Sequence, residues 1–200
     1  MEKSYQVRSF NHLRGLKGIS DTQLEQHFKL YEGYVKQTNL LREQVAEMMT
    51  KNQTDSPVFA ELVRRLPFEQ NGMVLHEYYF DNMAPSGGDI PAGGALAKAV
   101  EGSFGSIEAY KRELLAQAKM RGVGWVMTLQ DPTNGWLMNR WVSMHQDGNI
   151  AGYRPVLVLD IWEHAFTVDY KPTERAKYLE AWFQNVNWKA AESRLVTPVR

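Results

Sequence analysis

Between residues 20 and 50, Leu24, Leu30 or Tyr31, Tyr34, Val35 and Leu41 recur at three- and four-residue intervals, the spacing of one face of a helix. Ser20 followed by Gln23 has the form of a capping box, so this helix is predicted to start near Asp21. His27, Tyr34 and Thr38 fall on the same inward side. A second helical pattern runs from about Val58 through "LPFEQNGMVLHEYYFDNM", where Met73, His76 and Phe80 share a face. It stops before "APSGGDIPAGG", whose prolines and glycines read as a connection. "GALAKAVEGSFGSIEAYKRELLAQAKM" predicts a short helix, a turn over residues 102–105 and a longer helix from Ser106.

The period then changes. "GWVMTLQ", "WLMNRWVSMH" and "RPVLVLDIW" are short β-branched or aromatic runs separated by "DPTNG" and "QDGNIAGY", turn signals of the kind that join antiparallel strands. They predict a three-stranded antiparallel sheet, after which "TERAKYLEAWFQNVNWKAAESRL" predicts one or two closing helices. The expected class is α+β, with a helical hairpin domain over residues 1–90 and an α/β domain carrying the sheet over residues 91–200.

A chain of 200 residues with 44% hydrophobic and 12% aromatic content has ample material for a packed core. Lys and Arg number 23, as do Asp and Glu, so no bulk charge draws the protein to nucleic acid or to an anionic membrane. Cysteine is lacking, which removes disulfides, thiolate nucleophiles and Cys-bound metal together. Metal chemistry would have to use His, Asp and Glu. No apolar leader or membrane-length apolar run is seen, and a cytoplasmic location is expected.

"DIWEHAF", residues 160–166, sets Asp160, Glu163 and His164 among apolar neighbours, where a charged group is costly unless paired or bound. Of five histidines, His27, His76 and His164 lie on stretches predicted to be buried. One histidine on an apolar face is usually a satisfied core residue. Several of them with one carboxylate, converging from separate elements, are ligand chemistry suited to iron, manganese or zinc.

Together these segments resemble the iron/manganese superoxide dismutases. "DIWEHAF" is similar to that family's Asp-Val-Trp-Glu-His-Ala-Tyr signature, "LEQHFKLYEGYVKQTN" to its first helix and "MVLHEYYFDNM" to its second. "GSFGSIEAYKREL", "GVGWV" and "YLEAWFQNVNW" follow in the expected order. The resemblance implies that His27, His76, Asp160 and His164 bind one iron or manganese ion per subunit, with water or hydroxide as a fifth ligand. It implies conversion of superoxide to oxygen and hydrogen peroxide as the metal cycles between trivalent and divalent states. It also casts Tyr34 as a gateway residue, Trp125 and Trp162 as pocket aromatics, and Lys29 and Arg175 as basic residues of a substrate funnel. Glu163 would reach the His164 of a second copy in a homodimer, or in a tetramer built from such dimers.

The chain departs from the family in three places. Gly72 occupies the helix position that can supply a glutamine to the metal-bound solvent, which leaves His145 or Gln146 of the following sheet segment for that task. The step from His27 to Tyr34 is one residue shorter than usual, so either the helix is regular where the family bulges or a different residue aligns. Leu30-Tyr31 and Thr167 stand where the family pairs histidine with an aromatic across its dimer, so a partly altered interface is expected. Two other readings remain: a homologue without activity that serves a structural role, and a metalloenzyme that performs no redox chemistry.

Overall fold

The computed structural model describes residues 4–199. Ser20 accepts a hydrogen bond from the Gln23 amide at 3.0 Å, and helix α1, Asp21–Thr50, runs unbroken from that cap. The capping box is only half formed, because the Gln23 side chain turns away to bond His164 and Val168. The short step from His27 to Tyr34 is accommodated by regular helix, and the two side chains stay on one face. Helix α2, Pro57–Asp81, is capped by Ser56 and packs along α1. Phe10, Phe28, Tyr31 and Phe80 interlock between them, with Phe80 ring centroids 4.8 Å from Phe10 and 5.0 Å from Phe28.

The connection over residues 84–94 folds against the chain's last segment, where the Ala84 amide donates to the Asn185 carbonyl at 2.8 Å. A Cβ at Gly87 would sit 2.3 Å from the Asn185 backbone, so only glycine allows this approach. Helix α3 spans Ala95–Phe104 and passes straight through Gly102. The turn expected over 102–105 narrows to Gly105, at φ +82°, and Ser106, which caps α4, Ile107–Ala118.

Strands β1 (Trp125–Gln130), β2 (Leu137–Val142) and β3 (Arg154–Asp160) form an antiparallel sheet in the order β2-β1-β3. The central strand is buried at all six positions, as its continuous apolar run requires. The "QDGNIAGY" segment therefore does not close a hairpin between neighbours. It carries the chain past β1 to the far edge and leaves His145 beside the start of the central strand. The register places Trp125 opposite both Val142 and Asp160, which gathers three segments at one end of the sheet.

Two closing helices follow, α5 (Arg175–Gln184) and α6 (Trp188–Glu192). Buried Asn82, just after α2, donates to the Val158 carbonyl at 2.8 Å and joins the helical hairpin to the sheet. Among the described residues no helix is long and apolar enough to cross a membrane.

Candidate metal centre

His27 projects from α1, His76 from α2, Asp160 from the end of β3, and His164 from the short 3-10 turn Glu163–Ala165. One ligand atom from each lies within 4.8 Å of all the others. Asp160 Oδ2 is 3.3 Å from His27 Nε2, 3.7 Å from His76 Nε2 and 3.1 Å from His164 Nε2. The other carboxylate oxygen accepts the Trp162 amide at 2.8 Å, which turns Oδ2 toward the imidazoles. His76 Nδ1 donates to the Gly72 carbonyl at 2.6 Å, so its Nε2 presents a lone pair.

The Nε2 atoms of His27 and His76 are buried without a hydrogen-bond partner. Each such orphan costs on the order of 1–3 kcal/mol, and a cation bound to the converging lone pairs and the carboxylate would remove that cost. Burial holds both imidazoles below the usual histidine range, in the neutral form that ligates metal. Burial works against the Asp160 charge, but His164 and His27 outweigh it and hold the carboxyl below the usual range. These donors therefore suit iron or manganese.

Aromatic rings enclose the cluster. Tyr79 and Phe80 lie 5.1 and 5.0 Å from the His27 ring, Trp125 lies 5.0 Å from His76, and Trp162 stacks at 5.8 Å on His164. Tyr34 packs 5.1 Å from His76 and reaches His145, its Oη 2.8 Å from Nε2. Trp125 Nε1–H donates to His145 Nδ1 at 3.0 Å. An indole N–H only donates, so Nδ1 carries no proton. Burial lowers His145 to about 4, so the ring is neutral, its proton sits on Nε2, and Tyr34 Oη receives it. The hydroxyl's own proton is thereby left for another acceptor. Burial raises Tyr34, with help from Asp160 and Glu69, so the phenol stays protonated.

Residues 91–194 match the family model for the C-terminal domain of iron/manganese superoxide dismutases. The iron superoxide dismutase of Cupriavidus metallidurans is 37% identical, over 92% of this chain and 92% of its own length. Manganese superoxide dismutase 2 of Haloferax volcanii is 36% identical over 84% of this chain and 82% of its own. A manganese/iron superoxide dismutase of Aeropyrum pernix is 37% identical over 84% and 78%. This chain belongs to the iron/manganese superoxide dismutase family.

Family membership gives the departures a physical reading. A Cβ at Gly72 would lie 2.6 Å from the Tyr34 ring, so the side chain missing from α2 and the placement of that ring are one arrangement. His145, rather than Gln146, is the sheet-side residue brought to Tyr34; Gln146 Oε1 is buried without a hydrogen-bond partner. Glu163 is exposed beside His164, whose side chain is 26% exposed.

Lys29 is exposed on α1, and the Arg175 guanidinium donates to the carbonyls of Met120 and Gly122, at 2.9 and 3.1 Å, bonds that fix its position and leave its positive charge uncompensated. A further cation, Arg65, lies 4.0 Å over the Phe68 ring, held by Glu69 at 2.8 Å, and Phe68 packs 4.5 Å from His145. Arg65, Phe68, Gly72 and His76 follow one face of α2 at helical spacing, a signal legible in the sequence once His76 is taken as the reference.

Proposed function

We propose that the protein is a superoxide dismutase in which His27, His76, Asp160 and His164 hold one iron or manganese ion. The observation that carries this is the convergence of three imidazole nitrogens and one carboxylate oxygen in an aromatic enclosure, two of those nitrogens being buried without a partner, in a chain of this family. A bound ion of either metal supplies one-electron redox chemistry and a positive charge toward superoxide.

Other steps belong to the protein. Three neutral imidazoles and one carboxylate cancel only a single charge of the ion, which keeps the centre attractive to a small anion. Trp125, Trp162, Tyr79 and Phe80 restrict water. Forming hydrogen peroxide from superoxide takes up two protons, and Tyr34, whose oxygen already accepts the His145 proton, holds a hydroxyl proton free to donate. Reconstitution with iron and with manganese separately, with metal analysis by mass spectrometry and superoxide decay by stopped flow, tests this. Stoichiometric metal without dismutation by either form would sink it and favour the inactive homologue.

The proposal extends to a homodimer. A histidine that binds metal through Nε2 needs an acceptor for its Nδ1–H, and the exposed edge of His164 lines a surface depression with Thr22, Gln26, Leu30, Thr167 and Val168. The Glu163 of a second copy supplies that acceptor, and Leu30 and Val168 add apolar surface to the contact. Tyr31 takes no part, since its hydroxyl donates to Glu77 inside the protein. Sedimentation of wild type and Glu163→Ala tests this, with a monomeric wild type as the contrary result and a tetramer as the larger alternative. A division near residue 90 and a cytoplasmic location complete the proposal, to be tested by limited proteolysis and cell fractionation.

A further inference from the structure

We propose that Gln23 is a positioning residue for His164, setting where that ring meets the other three ligands; this rests on the metal reading above. Gln23 is 1% exposed and lies one helical turn before His27 on α1. Its Nε2 donates to the His164 carbonyl at 2.7 Å, and its Oε1 accepts the Val168 amide at 3.0 Å. The turn between them closes on itself through the Trp162, Glu163 and Phe166 carbonyls, which accept from Ala165, from Phe166 and Thr167, and from Asp169 and Tyr170. The His164 carbonyl and the Val168 amide are met by Gln23 instead, and both ends of one side-chain amide are used.

The consequence is geometric. His27 and Gln23 sit on consecutive turns of the same helix, and the Gln23 amide grips the backbone of the segment that carries His164, 141 residues away. The distance between the His27 and His164 rings, 5.0 Å between centroids, is therefore held through a short rigid path. An anchored backbone fixes the point from which the His164 ring projects whether or not the ion is bound, and the Trp162 ring stacked on it limits its rotation, which favours retention of metal. Sequence alone pointed elsewhere, since Gln23 reads as the second half of a capping box.

A neighbouring clamp provides a control. Asp169 accepts from the Ser20 amide at 2.7 Å and the Ser20 hydroxyl at 2.6 Å, tying the same segment to the same helix end at an exposed position away from His164.

The test loads full-length wild type, Gln23→Met and Asp169→Asn with iron. Release to an excess of chelator is followed, and the electron paramagnetic resonance spectrum of the ferric form is recorded. Gln23→Met keeps the volume and loses both bonds; iron release about 10- to 100-fold faster is expected, with a changed spectrum. Asp169→Asn is expected to lower the unfolding temperature while releasing iron within about twofold of wild type. If Gln23→Met does not fold, Gln23→Glu keeps the Val168 bond, sets a carboxylate oxygen against the His164 carbonyl, and carries the same expectation. Wild-type release and spectrum in the Gln23 variants, or equally fast release from Asp169→Asn, would overturn the assignment of Gln23 alone. A wild-type chain that takes up neither iron nor manganese would overturn the metal reading and this inference with it.

Discussion

Tyr34 Oη and His145 Nε2 stand 2.8 Å apart, a hydrogen bond that joins the middle of α1 to the segment leaving β2, 111 residues later. Its direction is set from behind, because the Trp125 indole occupies the other ring nitrogen. His145→Ala is expected to lower dismutation about 10- to 100-fold while leaving metal content unchanged, since His145 touches Tyr34 and not the four converging ligand atoms. Stopped-flow decay beside metal analysis checks this, and a parallel loss of metal would mean that His145 supports the ligands directly.

Gly72 is coupled to the same pair. Introducing a Cβ 2.6 Å from the Tyr34 ring must displace the ring or bend α2. Gly72→Ala is expected to lose activity although alanine favours helix by about 1 kcal/mol. Activity and thermal unfolding, read together, separate the two effects, and unchanged activity would show that Tyr34 can shift without consequence.

Metal should be a main support of the folded state. The orphaned nitrogens of His27 and His76 and the buried Asp160 charge are unfavourable without a cation. Ligand binding stabilises by about 4 kcal/mol when free metal exceeds its dissociation constant about 1,000-fold. The apoprotein is expected to unfold at a clearly lower temperature in calorimetry. His76→Ala should bind no metal and show no rise in unfolding temperature on metal addition.

Arg65 presents its cation beside the aromatic path to Tyr34. Arg65→Glu places two carboxylates, with Glu69, where one ion pair stood. The second-order rate with superoxide is expected to fall on the order of tenfold at low salt, a gap that narrows in about 0.15 M salt as screening shortens its range. A decrease independent of salt would point to lost packing on Phe68 instead.

Much of this was legible along the chain. The long periodic runs announced α1 and α2, because an apolar stripe at helical spacing can be buried in few other ways. The three strand segments were legible for a different reason, each being too short and β-rich for a helix. "DIWEHAF" exposed Asp160 and His164 as a problem of buried charge before any partner was known. The turn signalled by glycine over 102–105 is confined to its end, since glycine lowers helix propensity by an amount that the packing of Ala97 and Val100 overrides.

What the sequence determined by itself was which elements form, which faces they bury, and that a small set of histidines and one aspartate needed a common partner. Tertiary structure alone decided the strand order β2-β1-β3, the hydrogen bond between His145 and Tyr34, the clamp of Gln23 on the His164 turn, and the seat of Arg65 over the Phe68 ring. Periodicity records the environment of a residue relative to its own element. It carries no record of which distant element will sit 3 Å away, because that depends on how whole surfaces pack.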